Sequence, residues 1–191
     1  MRKIPLLLLP TALAMLAACQ PKTPAEPAAT PAPEAPAPAA STAIAELAPT
    51  QGSDTSGTIT FTVADGGIRA AGEVRGLPPG TEHGFHVHEH GDCSAPDGTS
   101  AGGHFNPGAT EHGRVGHGAH HGGDSDNIVA NDQGVAVVDT LLMGVTLGDG
   151  AATDILGKGV IVHADADDYV SQPTGNAGAR LACGVIGAAQ E

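Results

Sequence analysis

From residue 57 onward, apolar and polar positions alternate in short runs of period two, and no stretch shows the 3.6-residue period of a helix. In GTITFTV, residues 57–63, threonines alternate with Ile59, Phe61 and Val63, which predicts a strand with one wet face. DGG at 65–67 supplies a turn and IRAAGEVRG the returning strand, so the pair is expected to form a hairpin. Further strands are expected at 83–89, around Val129, from Gly134 in GVAVVDTLL, in GVIVH ending at His163, and from Arg180 in RLACGVIG. Short strands parted by Gly, Pro, Asp and Asn clusters predict an all-β sandwich or barrel. Two connections, roughly 91–127 and 164–179, are too long for hairpin turns. In a compact domain, loops of that length are usually functional.

Ahead of this region the pattern changes twice. Arg2 and Lys3 precede an apolar run over 4–16 that is too short to cross a bilayer as a stable helix, and small residues follow it, which reads as an export signal over 1–18. The run ends in Leu16-Ala17-Ala18-Cys19, which resembles the lipobox of bacterial lipoproteins; that resemblance implies acylation of Cys19 as the mature N-terminus. Several acyl chains would anchor the protein stably. Residues 22–40 are dominated by proline and alanine without hydrophobic periodicity, and such a segment cannot bury enough surface to fold. A tether is therefore expected over 19–48, with a reach of roughly 90 Å when extended. The folded domain is expected over 49–191, enough for one core. The expected location is the periplasm or cell envelope, lipid-anchored to a membrane.

Removing Arg2 and Lys3 takes the formal charge from −13 to −15, which argues against nucleic acid as a partner and against electrostatic binding to an anionic lipid surface. Histidine changes the picture more. Nine of the ten histidines lie between His83 and His121, in a stretch rich in glycine and poor in bulky side chains. In a strand, residues two apart project from one face, so His86 and His88 can close on one ion while Phe85 and Val87 point to the core. His104 opens HFNP, with His112, His121 and Asp124 spaced behind it and His163 at the end of a separate apolar strand. Neutral imidazoles with one carboxylate suit zinc and copper and are poor ligands for calcium or magnesium. The ligand count alone allows two metals.

At GFHVHE, AGGHFNP, HGGDSDN, VIVHADADD and GNAGARLACGVIG, in that order, the chain resembles the copper/zinc superoxide dismutases of the bacterial periplasmic kind. The resemblance implies an eight-stranded Greek-key β-sandwich or flattened barrel with two long functional loops, and dismutation of superoxide to oxygen and hydrogen peroxide. It implies copper ligation by His86, His88, His104 and His163, and zinc ligation by His104, His112, His121 and Asp124, with His104 shared. The same resemblance makes Asp167 the carboxylate joining one ligand from each metal, Arg180 the cation at the copper channel, and Cys93 with Cys183 a disulfide, as expected in an oxidising compartment. His120 adjoins His121, so a one-residue slip in the zinc ligand stays open. His83 reads as a histidine satisfied by backbone groups; His90, His117 and His120 read as solvated.

Two other readings stand beside the enzyme. A non-catalytic copper/zinc-binding or metal-delivery protein on the same fold would typically lack a copper ligand or the arginine, and here every position is filled. A zinc-buffering lipoprotein, suggested by the surplus histidines, would need neither His163 nor Arg180. The loop over 164–179 contains no lysine or arginine, a departure from relatives that steer superoxide with charges there. Monomer and homodimer are both left open.

Overall fold

The structure, a computed structural model, describes residues 41–189; the signal, Cys19 and the tether up to residue 40 lie outside the described residues. The strands, in chain order, are β1 (Thr42–Pro49), β2 (Ser56–Ala64), β3 (Gly67–Arg75), β4 (Glu82–His83), β5 (Phe85–His88), β6 (Ile128–Val129), β7 (Val135–Met143), β8 (Gly159–His163), β9 (Arg180–Val185) and β10 (Gly187–Ala188). Among the described residues the only helical element is one 3₁₀ turn, Thr99–Ala101. Eight strands form one curled antiparallel sheet in the order β5-β8-β9-β1-β2-β3-β7, with β10 added beside β1. Strand β1 is the corner. Residues 42–47 pair with β2, whereas Ala48 and Pro49 pair with Cys183 and Ala182 of β9. The two layers so formed enclose a core of Ile59, Phe61, Ile68, Val74, Phe85, Val87, Val138, Leu142 and Val160, among others. Burying side chains of this size is worth about 1.5–3 kcal/mol each. The architecture is the sandwich or flattened barrel that the strand pattern implied.

The folded part begins earlier than the expected boundary between residues 48 and 49, because β1 lies within what the sequence reading gives to the tether. Its inward positions are Ala43, Ala45 and Leu47. Two alanines at inward sites give an alternation of little contrast, which merges with the alanine-rich stretch before it. The β2–β3 hairpin forms as expected, with Ala64 opposite Gly67 and the two-residue turn closed by Gly66 at φ 89°. Val63, expected to share the face of Ile59 and Phe61, is instead 62% exposed beside that turn.

The strand expected over 83–89 is interrupted. β4 pairs with β6, and after Gly84 the chain re-enters the main sheet as β5, beside β8. A Cβ at Gly84 would lie 2.9 Å from the His86 ring and 3.0 Å from Ala177 Cβ, so only glycine lets the long loop pack here. Along β5, Phe85 and Val87 face the core, which leaves His86 and His88 on the outer face. Val160 and Val162 of β8 likewise face in. Ile161 packs outside against Ala101 and Cys183, so the loop over 91–104 covers this outer face and dries it.

Candidate metal centre

His88 and His163 meet because β5 and β8 are neighbours, and their Nε2 atoms lie 3.3 Å apart. Each ring is oriented by its other nitrogen. His88 Nδ1 donates to Gly102 O at 2.9 Å, and His163 Nδ1 donates to Gly178 O at 3.4 Å. His86 Nε2 donates to Asp167 Oδ2 at 2.8 Å, which turns Nδ1 toward the same point. His104 Nε2 completes the group. The ligand atoms of His86, His88, His104 and His163 lie within 4.8 Å of one another, and all four residues are buried.

The other nitrogen of His104 belongs to a second group. His104 Nδ1 lies 2.7 Å from Asp124 Oδ1, and His104, His112, His121 and Asp124 also converge within 4.8 Å. Here the ligands hang on loop rather than strand, and Asp124 organises them: its Oδ2 accepts the N–H groups of His121 at 2.8 Å and Gly113 at 3.2 Å. His112 Nδ1 lies 3.0 Å from that same oxygen, and His112 Nε2 pairs with Asp167 Oδ1 at 3.0 Å. Asp167 therefore joins one imidazole from each group. His121, not His120, enters the second group; His120, expected to be solvated, is half-buried and donates through Nδ1 to His121 O at 2.8 Å. His83 is buried between His163 O at 2.8 Å and Thr81 Oγ1 at 2.6 Å, so one of its two partners is a side chain and not backbone. His90 and His117 are exposed.

Four buried ring nitrogens make no hydrogen bond: His86 Nδ1 and His104 Nε2, with His112 Nδ1 and His121 Nδ1, which lie 3.0 and 3.5 Å from Asp124 oxygens but outside bonding geometry. Leaving such groups unsatisfied costs about 1–3 kcal/mol each, so their convergence at two points fits two cations. Imidazole nitrogens alone on one side suit copper, and three imidazoles with a carboxylate suit zinc.

The electrostatics of the two groups differ. Burial pushes His86 down to about 4 despite its bond to Asp167, and burial together with neighbouring imidazoles pushes His88 and His163 well below the ordinary histidine value. At neutral pH these rings are uncharged and ready to ligate. Burial also works against charge on His112, but the Asp124 carboxylate 3.0 Å from its Nδ1 and its bond to Asp167 outweigh it and raise the ring to about 9. Those carboxyls are buried too, yet the imidazoles of His104 and His112 beside Asp124, and of His112 and His86 beside Asp167, hold both far below the usual carboxylate range.

Arg180 opens β9, and its guanidinium donates through Nη1 to Gly98 O and through Nη2 to Gly102 O, both at 2.6 Å. Gly102 O thus accepts from both Arg180 and His88, and links the arginine to the first group. Gly102 sits at φ 75°, ψ −151°, a conformation open essentially only to glycine. Arg69, Arg75 and Arg114 are all engaged with carboxylates, so among the described residues Arg180 and Lys158 are the basic side chains without one. Cys93 and Cys183 form a disulfide with a Cα separation of 5.8 Å, tying the covering loop to β9.

The strand pattern missed four residues that complete this arrangement: Gly102, Asn127, Tyr169 and Gln172. Asn127 brackets the main chain of Asp167, accepting its N–H at 2.8 Å and donating to its carbonyl at 3.0 Å, while Asn127 N–H donates to Tyr169 Oη at 2.8 Å. These are polar residues in loops whose partners are mostly main chain, and spacing carries no sign of them.

A site for two metal ions on an eight-stranded β-sandwich, with one histidine common to both ligand groups, is the class this fold and geometry define. Residues 55–186 match the model of the copper/zinc superoxide dismutase family. The chain is 40% identical over 145 residues to a Superoxide dismutase [Cu-Zn] 2 of Aquifex aeolicus, covering 74% of this chain and 84% of that one. It is 43% identical over 136 residues to a Superoxide dismutase [Cu-Zn] of Caulobacter vibrioides, covering 69% and 78%. Among solved structures, a clock protein EA4 superposes with a TM-score of 0.71 at 40% identity over 82% of this chain and 99% of that one. A double mutant of a SOD-like protein from Bacillus subtilis gives 0.68 at 37% identity, over 75% and 96%. The chain belongs to the copper/zinc superoxide dismutase family, with superoxide as substrate and copper and zinc as cofactors.

Proposed function

We propose that this chain dismutates superoxide at a copper held by His86, His88, His104 and His163, beside a zinc held by His104, His112, His121 and Asp124. The observation that carries the assignment is the set of four partnerless buried nitrogens, divided between two groups that share His104. Copper supplies the one-electron chemistry by which two superoxide radicals and two protons become one oxygen and one hydrogen peroxide; zinc has no redox chemistry. The protein's own part is orientation, charge and proton handling. His104 presents Nδ1 to the zinc group and Nε2 to the copper group, so Nε2 is the atom on which a proton can be held between the two electron transfers. Asp167 fixes the tautomers of His86 and His112 together, so the two groups keep one relative arrangement. Arg180 keeps its charge even though burial lowers its affinity for the proton, and offers a fork of donors to a small anion.

Non-catalytic metal binding on the same fold would leave Arg180 without use, and its anchoring to Gly98 and Gly102 beside His88 favours the enzyme. All the named side chains come from one chain, so the site needs no second copy. Export and acylation at Cys19, with attachment in the periplasm or cell envelope, rest on the sequence of residues 1–19. Fatty-acid labelling that disappears in Cys19→Ser is the expected result for the anchor. For the activity, the purified domain is assayed for metal content and superoxide decay before and after copper is restored. Turnover should follow copper content; turnover indifferent to copper overturns the assignment.

A further inference from the structure

His112 is held twice by the loop over 164–179. Its ring is taken by Asp167, and its main chain by Gln172: His112 N–H donates to Gln172 Oε1 at 2.9 Å, and Gln172 Nε2 donates to His112 O at 2.9 Å. The same Nε2 donates to Val170 O at 3.3 Å, which braces the amide against its own loop. Asn127 does the reverse, pairing from the loop over 91–127 with the main chain of Asp167. Each long loop therefore sends one side-chain amide to the main chain of a residue in the other. An amide is suited to this, because one side chain presents an acceptor and a donor side by side, matching a peptide's N–H and C=O. A carboxylate lacks the donor and an ammonium lacks the acceptor.

Fixing the main chain at residue 112 and the ring at Nε2 leaves the imidazole no free rotation, and the remaining nitrogen, Nδ1, is aimed at Asp124. We infer that Gln172 is a positioning residue for the zinc group: its amide sets the main chain of His112 so that Nδ1 faces Asp124 and His121, and thereby sets how long zinc is retained. The inference rests on the reading of His112 as a zinc ligand. Outer contacts that orient a metal ligand typically account for 10–100-fold in metal affinity.

The test uses the fully metallated protein with Gln172→Met, which keeps length and loses both hydrogen bonds to His112, and Gln172→Asn, which keeps the amide but falls short. Zinc transfer to a chelator is timed, and the absorption of cobalt substituted for zinc is recorded. Both variants should release zinc about 10- to 100-fold faster, with a shifted cobalt spectrum. Should Gln172 only stiffen its loop, melting of the metal-free protein would drop while zinc release and the cobalt spectrum stayed as in the parent, and the inference is overturned. His112→Ala separates the two claims. If that variant keeps zinc as the parent does, the ligand assignment itself fails; if it loses zinc while Gln172→Met releases zinc at the parent rate, only the role of Gln172 fails.

Discussion

Three imidazoles of the proposed copper group stand on adjacent strands, whereas the residues proposed for zinc alone hang from one loop. His86, His88 and His163 are spaced by the β5–β8 ladder, and their orientation needs only one further bond each. His112, His121 and Asp124 have no ladder. Their positions come from carboxylates, side-chain amides and main-chain N–H groups that hold one another. The charge follows the same division: the strand side is neutral at pH 7, and the loop side carries ionised carboxyls with a protonated His112 when metal-free. A scaffold that fixes geometry by backbone can leave its ligands bare, while a loop must use charge and hydrogen bonds to reach the same precision.

Breaking the strand side has the largest effect. His163→Ala removes a proposed copper ligand and should lower the dismutation rate by at least about three orders of magnitude, the several kcal/mol that a bound metal supplies to a reaction. Superoxide decay measured alongside metal content checks this, and zinc content should stay near the parent value. Retained turnover in that variant would show that the shared histidine, and not the strand trio, carries the reaction.

The disulfide comes next, because it holds the covering loop of the strand side to β9. Replacing Cys93 and Cys183 with serine opens a closed loop of separation 90. The chain-entropy relation gives about 4.5 kcal/mol for a loop of that size, read as the loss in denaturant unfolding of the metal-free protein. Gly98 and Gly102, which orient Arg180, lie in the freed segment, so activity should fall as well.

On the loop side, Asp124→Asn should release zinc and lower stability by about 3 kcal/mol, since it removes one partner of buried, charge-assisted bonds. Copper content should persist, with activity reduced by a smaller factor than in His163→Ala. Equal loss of both metals would mean that the two groups do not differ in the way their construction implies.

The strand side was largely legible in the sequence, and the loop side was not. His86 and His88 announce a shared face through the period of a strand, and the β2–β3 hairpin follows from threonine alternation and a Gly turn. β1 escaped because its inward residues are mostly alanine, and the break at Gly84 because continuous apolar alternation hides a change of partner strand. On the loop side, family motifs marked the ligands, but nothing in a glycine-rich stretch marks Gln172 or Asn127. Their partners are main-chain atoms of residues 60 and 40 positions away, and such pairing has no signature in spacing.

The smallest expected effect is also the most direct comparison of the two sides: the protons released as each metal is loaded. With His112 raised to about 9, zinc binding at pH 7 must displace its proton, so about one proton should appear per zinc, and that release should fade above pH 9. His86, at about 4, and His88 and His163, held well below the ordinary histidine value by burial and neighbouring imidazoles, have nothing to give at pH 7. Loading copper onto the zinc protein should then release only the proton that His104 must lose to serve both metals. Calorimetry in buffers of different ionisation enthalpy counts these protons. The same shift sets the stability of the metal-free protein, with the sign fixed by a folded value above the unfolded one. The His112 contribution is fully present below the unfolded value near 6.5 and is lost as pH rises through about 9. Asp124 and Asp167 have the opposite sign, contributing above about pH 4 and losing that contribution on acidification. Zinc-linked proton release that is flat across pH 9 would remove the electrostatic half of the distinction and leave only the difference in scaffold.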